Sequence, residues 1–260
     1  MIAALAKRAL KAAAAVAPVG HRGVVVLIYH RVGSGGSEMT VAPSVLRDHL
    51  AELAGSVGTL DQFVDPGATA RPFVVTVDDG TADFADALVP LLVEAGVPAT
   101  LYLATDFVES QRPFPQQGRP LSWAALADCL DTGLVTVGSH THTHALLDRA
   151  PIESVVRELD ASIALIEDRL GLTPRHFAYP KAVLGSPAAQ AEVRRRFATA
   201  SIAGTRPNVA GRTDVHRLAR SPIQRSDSMA HFRRKAAGGM RLEDDVRRLA
   251  NRVRYRDLTS

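Results

Sequence analysis

Two short runs of apolar, largely β-branched residues most constrain the fold: Val24-Val25-Val26-Leu27-Ile28-Tyr29 and Phe73-Val74-Val75-Thr76-Val77. Neither alternates apolar with polar residues along its length. Each is therefore predicted to be a strand buried on both faces, as in a parallel sheet flanked by helices. The segments between and after them have helical spacing. Pro43–Leu53 carries Val45, Leu46, Leu50 and Leu53, and Asp83–Ala95 is predicted to be a helix stopped by Gly96. The pattern then repeats: strand Ala99–Ala104, a helix capped by Ser122 and running through Leu130, strand Leu134–Val137, helix Pro151–Leu170 closed by Gly171, strand His176–Tyr179 and helix Ser186–Phe197. Short strands are expected near Thr199–Ile202 and Val215–Ala219. Strands alternating with helices make this an α/β chain with a parallel sheet, a fold that places its chemistry at the C-terminal ends of the strands.

At 260 residues and 46% apolar content, the chain has ample material for one large core. No long linker interrupts the pattern. The expected organisation is an Ala-rich basic N-terminal helix (1–23), one catalytic domain (24–225) and a basic helical tail packed on that domain (226–260). The single Cys129 excludes an intrachain disulfide and a Cys-rich metal site. The net charge of +4 hides a segregation: residues 1–193 carry 14 Lys+Arg against 21 Asp+Glu, and residues 194–260 carry 17 against 6. A basic C-terminal face could meet an anionic membrane or glycan, and a solvated face of self-paired charges is the competing reading. No nucleic-acid partner is expected. Lys11 leaves only Ala12 to Val19 as an apolar run near the start, short for a secretion signal. The segment reads as a weakly amphipathic helix, which points to a cytoplasmic or membrane-peripheral location, with a cleaved signal as the alternative.

The second apolar run ends in Asp78-Asp79-Gly80. Neighbouring strand residues point to opposite faces, but a turn at the strand end can bring both carboxylates into one bowl. The competing reading is an N-terminal cap for the helix that follows. Sixty residues on, Gly138-Ser139-His140-Thr141-His142-Thr143-His144 follows directly on a predicted strand. His140 and His144, four apart, would share one face of a helical turn and could hold one ion, with His142 pointing away. One carboxylate and two imidazoles leave positions open for water and substrate, as catalytic rather than structural sites do. Such an ion lowers the pKa of water to about 7, and a neighbouring carboxylate can then take its proton.

Thr76-Val77-Asp78-Asp79-Gly80 and Ser139-His140-Thr141-His142-Thr143-His144 resemble, in order and spacing, the first two motifs of the NodB-like polysaccharide deacetylases. The resemblance spans roughly residues 24–225. It implies a distorted (β/α) barrel with fewer than eight strands, and removal of an N-acetyl or other N-acyl group from an amino sugar in a polysaccharide, oligosaccharide or lipid-linked glycan. By position it implies Asp78 as catalytic base, and Asp79, His140 and His144 as ligands of a divalent metal. Zinc is the expected ion, and the same ligands also take cobalt, nickel or iron. Leu27-Ile28-Tyr29-His30 resembles the branch whose proton-donating His comes from an N-terminal strand, which makes His30 the candidate acid. Phe177-Ala178-Tyr179-Pro180 resembles the third motif, a wall of the substrate groove. There the usual Tyr-Gly after the Pro is replaced by Lys181-Ala182, although Lys181 keeps the backbone N–H that the family uses as an oxyanion donor. The third-motif Arg is absent, with Ala178 in its place. Arg220, in Arg217-Leu218-Ala219-Arg220, is the candidate to pair with Asp78 instead, with a plain surface arginine as the competing reading. Tyr179, Pro180, Lys181 and Arg220 are thus the expected orienting or substrate-binding residues. Trp123 is expected to be packing. Two other readings compete: a glycan-binding module that has lost turnover, and a two-His-one-carboxylate iron oxygenase, against which the double Asp argues.

Overall fold

The computed structural model describes residues 23–65, 71–115 and 118–240. The strands are β1 (Val25–Tyr29), β2 (Arg31–Val32), β3 (Thr40–Val41), β4 (Val57–Gly58), β5 (Phe73–Asp79), β6 (Ala99–Leu103), β7 (Val135–Ser139), β8 (His176–Ala178), β9 (Thr199–Ala203) and β10 (Leu218–Pro222). The helices are α1 (Pro43–Leu53), α2 (Leu60–Val64), α3 (Val89–Ala95), α4 (Thr105–Ser110), α5 (Trp123–Asp131), α6 (Ile152–Leu170), α7 (Pro187–Arg196) and α8 (Met229–Ala236).

The main sheet runs β1-β10-β9-β8-β7-β6-β5, and β1 pairs back onto β5, closing a barrel of parallel strands. β4 stays outside this ring, pairing only at Phe73 and Val74, before β5 meets β6 at Val75. The expected distorted barrel with fewer than eight strands is therefore the fold. Alternation sorts each strand into two faces. Val25, Leu27 and Tyr29 of β1, with Val75 and Val77 of β5, pack outward in the core under the helices. Val26, Val74, Tyr102, Ala178 and Leu218 form a smaller cluster inside the ring, which Leu60 and Phe63 of α2 join. The inner face is polar above that cluster, with Thr76, Asp78 and Arg220 all buried.

The expected elements fall close to their positions, and α1 matches to the residue. Three local readings are corrected. The first part of the Asp83–Ala95 helix is a π-helical turn over Phe84–Leu88 before α3 begins. Val215–Arg217 is a 3-10 turn, and the strand starts at Leu218. The segment after β7 is an irregular loop with no helical turn. The N-terminal helix expected over 1–23 lies, apart from Gly23, outside the described residues, as does the tail from 241 onward. In the described part of that tail, α8 places Phe232 against His49 of α1, the two rings stacked at 3.8 Å. Several arginines of the described part of the basic C-terminal segment are paired. Arg233 pairs with Glu52 at 2.9 Å, Arg196 with Asp160 at 2.6 Å, and Arg194 with Asp214.

Candidate active site

The residues singled out in the sequence converge on the C-terminal rim of the barrel. Thr76 and Asp78 share the inner face with Val74, two residues apart along β5. Strict alternation would turn Asp79 outward with Val75 and Val77. Instead Asp79 adopts a left-handed backbone (φ 80°) and Gly80 follows at φ 101°. That turn swings the second carboxylate back over the bowl. A side chain at Gly80 would meet Leu103 Cδ1 at 2.5 Å, so the turn needs glycine. Neither carboxylate caps the following helix.

Asp78 is buried and gripped by Arg220 through two bonds, Nη1 to Oδ1 at 2.6 Å and Nη2 to Oδ2 at 2.9 Å. Arg220 is fully buried, donates a further bond to Thr76 Oγ1 at 3.1 Å, and lies 4.8 Å over the Tyr102 ring. It is thus no surface arginine but the floor of the site. Burial alone would raise the Asp78 pKa. The guanidinium, helped by His140 and His30, overrides that and holds the carboxylate well below its usual range. Asp79 has no such partner at bonding distance, and burial, reinforced by the neighbouring Asp78, pushes its pKa up despite the more distant His30 and Arg220.

Asp79, His140 and His144 each offer a ligand atom within 4.8 Å of the others. Asp79 Oδ1 lies 3.8 Å from His140 Nε2 and 3.6 Å from His144 Nε2. His140 Nδ1 lies 2.7 Å from the Ala178 carbonyl, so it carries the proton and Nε2 presents a lone pair to the bowl. Burial depresses both imidazoles, His140 to about 3 and His144 to about 4, keeping them neutral. Two neutral imidazoles and a carboxylate raised by its burial fit a divalent cation.

The helical-turn rationale for the His pair is wrong, although the pair itself converges. Thr141 and His144 both have left-handed backbones (φ 64° and 63°), and the loop is clamped from two sides. Glu158 of α6 accepts from Thr143 N at 2.8 Å and Thr143 Oγ1 at 2.7 Å. The Asp106 N–H of α4 donates to the His142 carbonyl at 2.9 Å. His142 turns away, as expected, to Thr105 Oγ1 at 2.9 Å.

His30 follows β1 and faces the bowl, its Nε2 4.0 Å from Asp78 Oδ2. His140 Nε2 approaches the same oxygen at 3.9 Å. In the third motif, Lys181 (φ 52°) and Ala182 (φ 56°) keep a left-handed turn closed by Ala182 N to Tyr179 O at 2.9 Å. Lys181 is exposed, and its charge lowers His144. Pro180 is buried. Tyr179 does not line the groove. It is 1% exposed and packs edge-on against Phe177, in the core cluster that also holds Val193 and Phe197. Trp123 packs as expected and also donates to Glu109 at 2.8 Å. Sequence reasoning missed Thr76, Tyr102 and Glu158. Only Thr76 carried a signal, two residues before Asp78 on one strand face.

A closed parallel β/α barrel with an Asp-His-His cluster and a buried Arg-held carboxylate at its C-terminal rim defines a hydrolase-type centre. A sequence profile of polysaccharide deacetylases matches residues 66–195, half of the chain. The chain belongs to the polysaccharide deacetylase family, hydrolases that remove acyl groups from carbohydrates. Solved structures share the fold. A polysaccharide deacetylase from Bacillus cereus matches with TM-score 0.70 and 22% identity, over 83% of this chain and 69% of that one. IcaB from Ammonifex degensii matches with TM-score 0.68 and 22% identity, over 83% and 96%. The Streptococcus pyogenes deacetylase PplD, solved with acetate, matches with TM-score 0.72 and 17% identity, over 84% and 99%. No curated protein matches the sequence.

Proposed function

We propose that this chain removes an N-acyl group, acetyl in the simplest case, from an amino sugar, in a reaction dependent on a divalent cation. Asp79, His140 and His144 would hold the cation, with zinc the first candidate for this donor set. When bound, such an ion acidifies water and polarises an acyl oxygen. Asp78 is the base. Arg220 occupies one side of its carboxylate, and Oδ2, which also lies toward His30 and His140, is the oxygen that takes the proton of the attacking water. The backbone N–H of Lys181 is the candidate donor to the developing oxyanion, held by the turn rather than by its side chain. As the C–N bond breaks, His30 Nε2 gives a proton to the leaving nitrogen. The products are a free amino sugar and a carboxylate.

The observation that carries this reading is the division of labour between adjacent carboxylates. Asp78 is locked and ionised by Arg220, and Asp79 is turned to the imidazoles. Arg220 and His30 standing where base and acid need them favours turnover over the alternative of a silent glycan-binding module. The test is acetate release from N-acetylated chitooligosaccharides by metal-loaded protein. Release should stop on chelation, return with zinc or cobalt, and be lost in Asp78→Asn. Undiminished release after chelation would sink the proposal.

A further inference from the structure

Asp83 stands four residues beyond Asp79, in the loop between β5 and the π-helical turn, with no role yet in the site. At the N-terminus of that turn its side chain makes no capping bond. Its carboxylate crosses instead to the segment that carries His30. Oδ2 accepts from the Val32 N–H at 2.6 Å, and Oδ1 lies 3.8 Å from Arg31 Nε. A bond from an ionised acceptor to a backbone N–H belongs to the stronger class of hydrogen bonds.

His30 sits at a break in the backbone ladders. Before it, β1 is paired into the barrel on both edges, to β5 and β10. After it, β2 leaves the barrel and pairs only with the two residues of β3. The His30 ring has no hydrogen bond of its own to fix it, since Nδ1 is buried without a partner among the described residues. Its direction therefore depends on the backbone on either side. Asp83 is a side-chain tie that fixes the far side, and it does so from the loop that directly follows Asp78 and Asp79 at the end of β5.

We propose that Asp83 is a positioning residue that sets the distance of His30 from the reacting centre, by binding the backbone two residues after it. This rests on the reading of His30 as proton donor. A displacement of about 1 Å can cost up to about 100-fold in rate. The loss on cutting the tie should therefore fall on the step that needs the proton.

The experiment uses the metal-loaded full chain and a series of aryl acetates from 2,4-dinitrophenyl to phenyl acetate. A good leaving group needs no proton and a poor one does. Asp83→Ala should steepen the fall of kcat/KM with leaving-group basicity, with about a tenfold or greater extra loss at phenyl acetate. Asp83→Asn keeps an oxygen for the Val32 N–H and should restore the wild-type slope. His30→Gln should give the steepest slope. A wild-type slope in His30→Gln overturns the reading of His30. A steep slope in His30→Gln with a wild-type slope in Asp83→Ala, or a slope in Asp83→Asn as steep as in Asp83→Ala, overturns the inference on Asp83 alone. Independently of turnover, hydrogen exchange over residues 30–33 should accelerate in Asp83→Ala and recover in Asp83→Asn, and unchanged exchange also overturns it. Asp83→Ser, too short to reach Val32, replaces the Ala variant should that one not fold.

Discussion

Arg220→Met tests the floor of the site without reference to any substrate. The side chain is fully buried and makes two bonds to Asp78 and one to Thr76. Methionine fills much of the volume and cannot donate. What remains is a buried carboxylate with no counter-charge, and breaking a buried pair from one side costs about 3–5 kcal/mol. Unfolding entropy of about 2.1 cal/mol/K per residue gives roughly 1.8 °C per kcal/mol at 260 residues, so the melting temperature should fall by about 6–9 °C. Asp78→Asn in the Arg220→Met background removes the orphaned charge and should return most of that loss, because a neutral amide beside a thioether costs far less to bury than an unpaired carboxylate. The sign with pH follows from the direction of the Asp78 shift. Its folded pKa lies below the ordinary 3.8, so the pairing stabilises above that value and the benefit fades as pH falls beneath it. The gap between wild type and Arg220→Met should thus be widest at neutral pH and narrow below about pH 4. Thermal melts, with denaturant titrations at neutral and acid pH, of the four proteins in the cycle measure all of this. Losses that add, with Asp78→Asn giving no recovery, would refute the claim that Arg220 is there to hold a buried charge.

Other outcomes follow from the same geometry. His49, stacked on Phe232 with its Nδ1 3.2 Å from Tyr29 Oη, is depressed to about 4, chiefly by burial. The unfolded chain therefore takes the proton first, and stability should fall by about 2–3 kcal/mol between pH 6.5 and 4; His49→Gln should flatten that part of the curve in urea titrations. Gly138→Ala would place a Cβ 2.7 Å from the His176 carbonyl and 2.7 Å from the Tyr102 ring, and should lower stability by about 1–3 kcal/mol in calorimetry. Asp79→Ala and His144→Ala should each abolish stoichiometric zinc binding by calorimetric titration. In the native protein, zinc at about 100 times its Kd should raise stability by about 2.7 kcal/mol. Full binding by either variant would remove the triad from the proposal.

The barrel was legible in the sequence because buried parallel strands write themselves as nearly continuous apolar runs, as β1 and β5 do. The short strands β2, β3 and β4 were not, since two residues carry no periodicity. The rim residues were legible as residue types and as motifs, but their local geometry was not. His140 and His144 look like one face of a helical turn, yet two left-handed residues and the Glu158 clamp bring them together in a loop. Nothing in a spacing of four distinguishes these cases. Arg220 looked as much a surface residue as a partner of Asp78, because its burial depends on register: Val26 of β1 aligns with both Arg220 and Val74, which brings Arg220 level with the inner face of β5. Asp83 and Glu158 hold backbone groups of distant segments, a role that leaves no pattern in the sequence around them. The segregated charge reads differently once folded. Glu38, Glu52, Asp78 and Asp160 from the acidic part pair with Arg225, Arg233, Arg220 and Arg196 from the basic part.

Chemically identical neighbours, Asp78 and Asp79, end with opposite electrostatic fates, and the cause is one backbone dihedral. With extended geometry throughout, Asp79 would follow Val75 and Val77 to the outer face and leave His140 and His144 without a carboxylate. With φ at 80°, it turns to the imidazoles, beyond bonding reach of Arg220. Left-handed geometry at a non-glycine residue costs on the order of 1 kcal/mol. The site accepts that cost at Asp79, Thr141, His144, Lys181 and Ala182, all on the rim. The third motif shows what such strain preserves. Lys181 and Ala182 replace the residues usual at those positions, yet the turn persists with both in the left-handed region, where glycine would sit more easily. The backbone N–H proposed above as oxyanion donor depends on that turn and not on the side chain, so the exchange of side chains leaves the proposed role open to Lys181. What it changes is the charge near His144, where an exposed lysine now acts on the imidazole.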